Sequence, residues 1–304
     1  MCIRDSSKLG QRDASRAELE LARADSERIG DQRTLYRTLN GLALEHLQRG
    51  EMAEGERDLE DALAAAAAAG IEPVVTLQNL AAVRAARGRP DLGEPLARRL
   101  IDYYHRLGRR SDEGEIATNL AHMLRDLGRT AEASVELDRA LTLLRGSSND
   151  NGLADALYAL GVADLEDGRL ERVEALVAEL EATSQKSMKR LSLGYARGLI
   201  ARQAALAGDL SRARAAFAEA RQLLLADGNP DLAAMSDLAW AEAEAAAGEP
   251  ATALAVLAEA MAPLDQPSDT QAGFFAATLS ARLDAGAGRV AAARTRLEAL
   301  GAEA

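Results

Sequence analysis

The chain has 304 residues, 48% hydrophobic, 28% charged and 3% aromatic, and its 48 acidic against 36 basic side chains give a formal charge of -12. That balance argues against direct binding to a phosphate backbone. The scarcity of aromatic and β-branched residues favours helix over sheet, and the longest uncharged stretch, residues 270–281, is well short of the ~20 apolar residues a bilayer-spanning helix needs.

No apolar leader follows a basic start at the N-terminus, so the expected setting is cytoplasmic. The sole cysteine, Cys2, closes no intramolecular disulfide. Met1-Cys2-Ile3-Arg4-Asp5-Ser6 reads back through the genetic code as ATG TGT ATA AGA GAC AG plus one base, which looks like the transposon-end adapter of sequencing libraries. Residues 1–7 are therefore expected to be non-native, with the natural chain beginning further upstream. Lysine occurs only at Lys8, Lys186 and Lys189, and the rest of the 36 basic residues are arginine, a bias that suggests a GC-rich bacterial gene.

Glycines stand at Gly10, Gly50, Gly88, Gly128, Gly168, Gly208, Gly248 and Gly288, so six of seven intervals are 40 residues and one is 38. Such regularity marks a repeating unit. Around Gly128, Ala117, Leu120, Ala121, Leu124 and Leu127 precede and Ala133, Leu137, Ala140, Leu141 and Leu144 follow, both at helical spacing. The glycine thus falls between two amphipathic helices, where a residue of positive φ closes the first. Thr130 and Ser211 are expected to cap the following helix, while Pro90 and Pro250 suit its first position.

An orphan second helix is expected at about 12–29. Helix pairs follow at about 36–69, 74–107, 114–147, 154–187, 194–227, 234–267 and 274–304, forming one array over 8–304. Breakers mark the links: Gly70 to Pro73, Gly108 to Glu113, Gly146 to Gly152, Gly228 to Pro230 and Gln266 to Asp269. Five residues after the glycine the side chain is small (Gly55, Gly93, Ala133, Ala213, Ala253, Ala293). Nine after, it is usually large (Leu19, Leu59, Leu137, Val177, Phe217, Leu257, Leu297), and twelve after it is often Ala (Ala22, Ala62, Ala140, Ala220, Ala260). Small residues let axes approach while the large one fills the gap. Both termini read as places where an array has been cut, since polar capping helices are missing there.

Leu42-Ala43, Leu80-Ala81, Leu120-Ala121, Leu160-Gly161, Ile200-Ala201 and Trp240-Ala241 complete the frame. It resembles the tetratricopeptide repeat from about Leu9 to the C-terminus, in the longer form found in arrays attached to bacterial transcriptional activators, Ser/Thr kinases and nucleotide cyclases. The resemblance implies an all-α, open superhelical solenoid of antiparallel helix pairs. Three departures stand out: the 40-residue period, Pro95 inside a second helix, and His46, Arg84, Leu124, Asp164, Ala204 and Glu244 where the family carries a first-helix aromatic.

Catalytic and metal chemistry find little support. His46, His105 and His122 make no pair at ligand spacing, no lysine follows a glycine as a phosphate loop requires, and no Gly-x-Ser-x-Gly occurs. Ser147 to Gly152 mimics half a calcium loop, but Tyr158 stands where a bidentate carboxylate is needed, so it reads as a turn. Arg98, Arg99, Tyr103, Tyr104, His105, Arg106, Arg109 and Arg110 form one basic, aromatic-interleaved patch, read first as a helix end favoured by the dipole and second as a docking site.

In tetratricopeptide arrays the first helices line the concave surface. The resemblance therefore places Arg37, Asn40, Gln78, Glu115, Thr118, His122, Arg125, Tyr158, Tyr195, Arg202, Glu242, Phe275 and Arg282 in a groove. Mixed charge, amides and spaced aromatics suit a polypeptide segment; Tyr158, Tyr195 and Phe275 could equally pack between repeats. The expectation is a non-catalytic module without cofactor that binds a protein or peptide, as sensor or scaffold of a larger bacterial regulator. The alternative is the C-terminal part of a kinase, cyclase or DNA-binding activator whose effector region lies upstream. A helical-toroid hydrolase is a third class.

Overall fold

The computed structural model describes residues 3–187, 190–262 and 271–302, and the side chains in those spans apart from residues 3–15, 187, 271, 272, 274, 297 and 299–302. The described residues form helices and turns only. In chain order the helices are α1 (Ile3–Ile29), α2 (Gln32–Gln48), α3 (Met52–Ala69), α4 (Val74–Ala86), α5 (Pro90–Arg106), α6 (Arg110–Asp126), α7 (Thr130–Leu144) and α8 (Asp150–Glu166). They continue as α9 (Leu170–Ser187), α10 (Arg190–Leu206), α11 (Leu210–Ala226), α12 (Pro230–Ala246), α13 (Pro250–Met261), α14 (Gln271–Gly286) and α15 (Val290–Ala302).

The hinge chemistry is seen at Gly128. Its φ is 74°, its N–H donates to the Arg125 carbonyl at 2.8 Å, and the next N–H, of Arg129, reaches back to Leu124 at 2.8 Å. These bonds satisfy the last carbonyls of α6 and turn the chain into α7. Gly50, Gly88, Gly168, Gly208, Gly248 and Gly288 share the left-handed backbone, and Gly30, Gly70, Gly108, Gly146 and Gly228 use it to close second helices.

Three sequence expectations are corrected. Gly10 is no hinge: it lies inside α1, which already runs from Ile3, because one glycine costs a helix only about 1 kcal/mol against Ala and does not by itself end it. Thr130 is the first residue of α7, and the capping position is Arg129, which makes no side-chain cap bond. At α11 the cap is Asp209, whose carboxylate accepts from Arg212 N–H at 3.0 Å, in place of Ser211. Pro90, Pro230 and Pro250 all open helices, and α5 accommodates Pro95 in its interior. The expected link Gln266 to Asp269 and the Leu297 side chain lie outside the described residues.

The chain divides into two compact units, Met1–Gly108 and Arg109–Ala304. In the first, each of α1 to α5 packs on its neighbour in sequence, around a core that includes Leu39, Leu42, Leu59, Ala62, Leu77 and Leu80. In the second, consecutive helices pack likewise, and the first helices α6, α8, α10, α12 and α14 also touch one another in series. Successive second helices have few contacts. The first helices therefore form the tighter, inner layer of this unit.

Second helices bury the anticipated face. Ala133, Leu137 and Ala140 are fully buried, as are Phe217 and Ala220 nearly so, and Phe217 lies parallel to Trp240 with ring centroids 6.0 Å apart. In α9 the pattern slips by one residue: Val173, Leu176 and Leu180 are inside, and Val177 is only half-buried. Close approach of the first helices is visible at Gly161, where a Cβ would stand 2.5 Å from Leu199 Cδ1.

Where the family carries an aromatic near the end of the first helix, three repeats bury a carboxylate. Asp164 is held by Arg169 at 2.7 Å and Arg172 at 3.1 Å. Glu244 accepts both arms of Arg214 at 2.7 and 2.6 Å and the Trp240 indole N–H at 2.8 Å. Asp284 accepts from Arg289 at 2.9 Å and Arg296 at 3.0 Å. Each charge enters the core with hydrogen-bonding partners, the condition under which burial is tolerated.

Two stability predictions follow from this packing. Leu137→Ala should lower the free energy of unfolding in urea by about 2–5 kcal/mol. Gly161→Ala should cost about 1–3 kcal/mol by overpacking, and in the Leu199→Ala background it should cost less; additive losses in the double-mutant cycle would contradict the close α8/α10 approach.

Candidate functional site

Most of the sequence-derived groove residues occupy three positions of a first helix, thirteen, ten and six residues before its hinge glycine. Spacings of three and four put these on one face of the helix. In the second unit this brings Glu115, Thr118 and His122 onto α6, Asp155 and Tyr158 onto α8, Tyr195 and Arg202 onto α10, Glu242 onto α12, and Phe275 and Arg282 onto α14.

The centre is an aromatic pair. The Tyr158 and Tyr195 rings stack with centroids 4.5 Å apart and planes 14° apart. Gly198, in the α10 position that corresponds to Tyr158 on α8, leaves room for it: a Cβ there would lie 3.4 Å from Tyr158 Cε2. Arg202, one turn beyond Gly198, donates to the Tyr158 side chain and faces the carboxylates of Glu242 and Glu166, while its Nε is buried without a hydrogen-bond partner. An unsatisfied donor in such a place is unfavourable unless something accepts from it.

Polar contacts continue on the other side of the stack. The Tyr195 hydroxyl reaches Asp155 Oδ1 at 3.5 Å, and Asp155 Oδ2 lies 3.7 Å from His122 Nε2. Burial pushes the Tyr195 phenol well above its ordinary pKa, with the Asp155 charge adding to it, so the hydroxyl stays protonated and donates. For His122, burial works against the imidazolium but the Asp155 carboxylate outweighs it, and the pKa is raised above 6.5. Arg125 bridges α6 to α8 through Glu166 at 2.8 Å.

Other sequence candidates behave differently. Thr118 is a correction: it is 1% exposed and donates to the Gly114 carbonyl at 3.0 Å, a helix-internal bond that removes it from any ligand. Glu115 accepts from Asn149 at 3.2 Å, and Asn149 in turn caps α8, so the Ser147 to Gly152 segment is a helix-starting turn. Glu242 and Arg282 are exposed, as is Phe275 at 40%. Arg37, Asn40 and Gln78 belong to the first unit, where Asn40 donates to the Tyr36 carbonyl and accepts from Thr76 Oγ1, both at 2.8 Å. Arg37 is exposed and Gln78 half-buried.

Sequence reasoning missed Asp155 and Glu166, the two carboxylates that tie the aromatic pair to cations. Asp155 was visible in register, since it stands thirteen residues before Gly168 as Tyr195 stands before Gly208. Three arginines of the basic patch are paired locally: Arg98 with Glu94 at 2.9 Å, Arg99 with Glu72 at 2.7 Å and, in the second unit, Arg109 with Asp112 at 2.7 Å. Tyr104 is buried, with its ring edge-on to Tyr103.

No family model matches the chain, and no curated protein is significantly similar to it. Solved structures are. The apo form of the quorum sensor NprR from B. thuringiensis has a TM-score of 0.61 at 13% identity, covering 95% of this chain and 82% of that one. A Rap protein complexed with competence and sporulation factor gives 0.59 at 13% identity, over 90% and 77% of the two chains. A signal transduction ATPase with a tetratricopeptide repeat sensor from Pyrococcus horikoshii gives 0.54 at 14% identity, over 98% of this chain and 48% of that one. At such identities the likeness shows the fold alone: an all-α helical solenoid of tetratricopeptide type. No helix among the described residues is long and apolar enough to cross a membrane.

The His122–Asp155 contact can be tested by titration. The ring should titrate above its ordinary value, and Asp155→Asn should lower that value, followed by NMR of the ring protons. Because the folded-state pKa is raised, the contact stabilises the protein below the ordinary imidazole pKa, and this contribution is lost as pH rises through the folded value.

Proposed function

We propose that the chain is a non-catalytic recognition module that holds a protein or peptide segment along the first-helix face of its second unit. The observation that carries this reading is the Tyr158–Tyr195 stack beside Arg202, whose buried Nε has no acceptor of its own. Aromatic faces and a guanidinium fork are the groups that anchor polypeptide ligands. The other ionisable groups here meet opposite charges, His122 with Asp155 and Arg125 with Glu166, an arrangement suited to positioning rather than to activating a nucleophile.

Similar folds support a sensory role: one is a quorum sensor, one is a Rap protein complexed with competence and sporulation factor, and one is a signal transduction ATPase with a tetratricopeptide repeat sensor. The last is about twice as long as the part this chain matches. In the same way we assign this chain to a larger cytoplasmic bacterial regulator, with the effector, a kinase, cyclase or DNA-binding region, in another part of the polypeptide.

A displayed random-peptide library selected on the full chain provides the test. Enriched peptides should bind the Arg125→Glu, Tyr158→Ala double variant more weakly by about 2 kcal/mol, roughly thirtyfold in Kd by calorimetry. Equal affinity for both proteins, or no enrichment, would overturn the assignment.

A further inference from the structure

The joints between successive hairpins of the second unit use a fixed register: the residue thirteen after one hinge glycine, on a second helix, and the residue eleven before the next, on the following first helix. At the α7/α8 joint these are Leu141 and Leu157, both buried. At α9/α10 they are Glu181 and Arg197, 2.7 Å apart, and at α11/α12 they are Arg221 and Asp237, with Nε 3.3 Å from Oδ2. The α10–α11 hairpin is thus joined on both sides by ion pairs, where leucines serve at the α7/α8 joint and Met261 and Ala277 hold the same positions on α13 and α14.

The two ionic joints are not equivalent. The Glu181 side chain is 40% exposed, and Arg197 is served twice, by Glu181 and by Glu219 at 2.9 Å. Asp237 is 1% exposed, and its Oδ1 is buried without a hydrogen-bond partner. The guanidinium that faces it is already engaged by α13: Arg221 donates to Glu259 Oε2 at 2.7 Å and to the Glu259 carbonyl at 3.0 Å. One cation therefore serves two carboxylates, and the buried one has the poorer share. The charged groups bearing on Asp237 are Arg221 from α11 and Glu259 from α13. On α10 Arg197 is held as above, on α14 Asp284 is bound to Arg289 and Arg296, and farther along α12 Glu244 is bound to Arg214.

We infer that Asp237 makes the joint between the α10–α11 and α12–α13 hairpins a proton-sensitive hinge. With Asp237 protonated, Arg221 pairs with Glu259 alone, no uncompensated charge is buried, and the joint is shut. With Asp237 ionised, the buried carboxylate favours hydration and the α11/α12 contact opens. Burial raises this carboxyl to about 7, the neighbouring Glu259 adding to the shift and Arg221 offsetting only part of it. The sign follows from linkage: with the folded value above the ordinary carboxylate value of 3.8, the closed joint is favoured most below 3.8 and loses that advantage progressively as pH rises to about 7. The device does not depend on what the groove binds, although the same joint sets the placing of Arg202 on α10 against Glu242 on α12.

Hydrogen–deuterium exchange of the full chain tests it, read on peptides from α11 and α12 and corrected for the intrinsic pH dependence of exchange. The opening equilibrium should rise by up to about tenfold per pH unit between pH 5 and 7 and level off above. Asp237→Asn should abolish the rise, as should Asp237→Leu, which restores the residue type of Leu157 and guards against misfolding of the first variant. Glu181→Gln, at the other ionic joint, should leave it intact. A flat profile in the unaltered chain, or the same rise in both Asp237 variants, would overturn the inference.

Discussion

Among the described residues, every hairpin turns on a glycine whose backbone lies in the left-handed region. At Gly128 the turn bonds from the Gly128 and Arg129 amides satisfy the end of α6 and aim α7 back along it. A side chain would meet no neighbour at this point, so the demand for glycine is purely conformational. That local requirement sets the antiparallel pairing. The pairing decides which face of each helix is shared with the next hairpin, and so which residues of the first helices remain available to a ligand.

Packing and charge then divide the work unevenly. Small–large–small faces such as Ala133, Leu137 and Ala140 let helices approach and fill the space between them, and buried leucines contribute about 1.5–3 kcal/mol each. Buried carboxylates contribute less clearly. A desolvated ion pair can be no more stabilising than an apolar pair of the same shape, and Asp164, Glu244 and Asp284 stand where such a residue would serve. Their arginines come from defined neighbours: those of Asp164 and Asp284 lie across the hinge of the same hairpin and favour one pairing of its helices, and Arg214 reaches Glu244 from α11 to α12 and favours one alignment of successive hairpins.

The helical hairpins were legible in the sequence because positive-φ glycines recur at a constant interval and hydrophobic residues recur at helical spacing around them. Gly10 shared the interval without the conformation, since spacing alone does not distinguish a hinge from a glycine within a helix. The division at Gly108 left no mark beyond a link glycine like the others. Within the candidate site the register singled out Tyr158, Tyr195 and Arg202, which lie on α8 and α10, yet Asp155 and Glu166 were lost among many acidic residues of an acidic chain. Partner choice over tens of residues depends on which helices become neighbours. Part of the buried ion-pair pattern could have been read: Asp164 with Arg169 and Asp284 with Arg289 each straddle a hinge glycine at a separation of five.

The recognition we propose is a by-product of the hinges, since the first-helix layer they create holds two tyrosines face to face and leaves the Arg202 Nε without an acceptor. The most direct measurement is the unfolding free energy of Gly128→Asn, Gly128→Ala and Gly128→Val by urea titration. A left-handed hinge predicts that Asn costs least and Val most, with Ala between them, because Asn tolerates positive φ and a β-branched residue does not. If Ala were the best tolerated of the three, as its helix propensity would dictate in an unbroken helix, the hinge would be refuted.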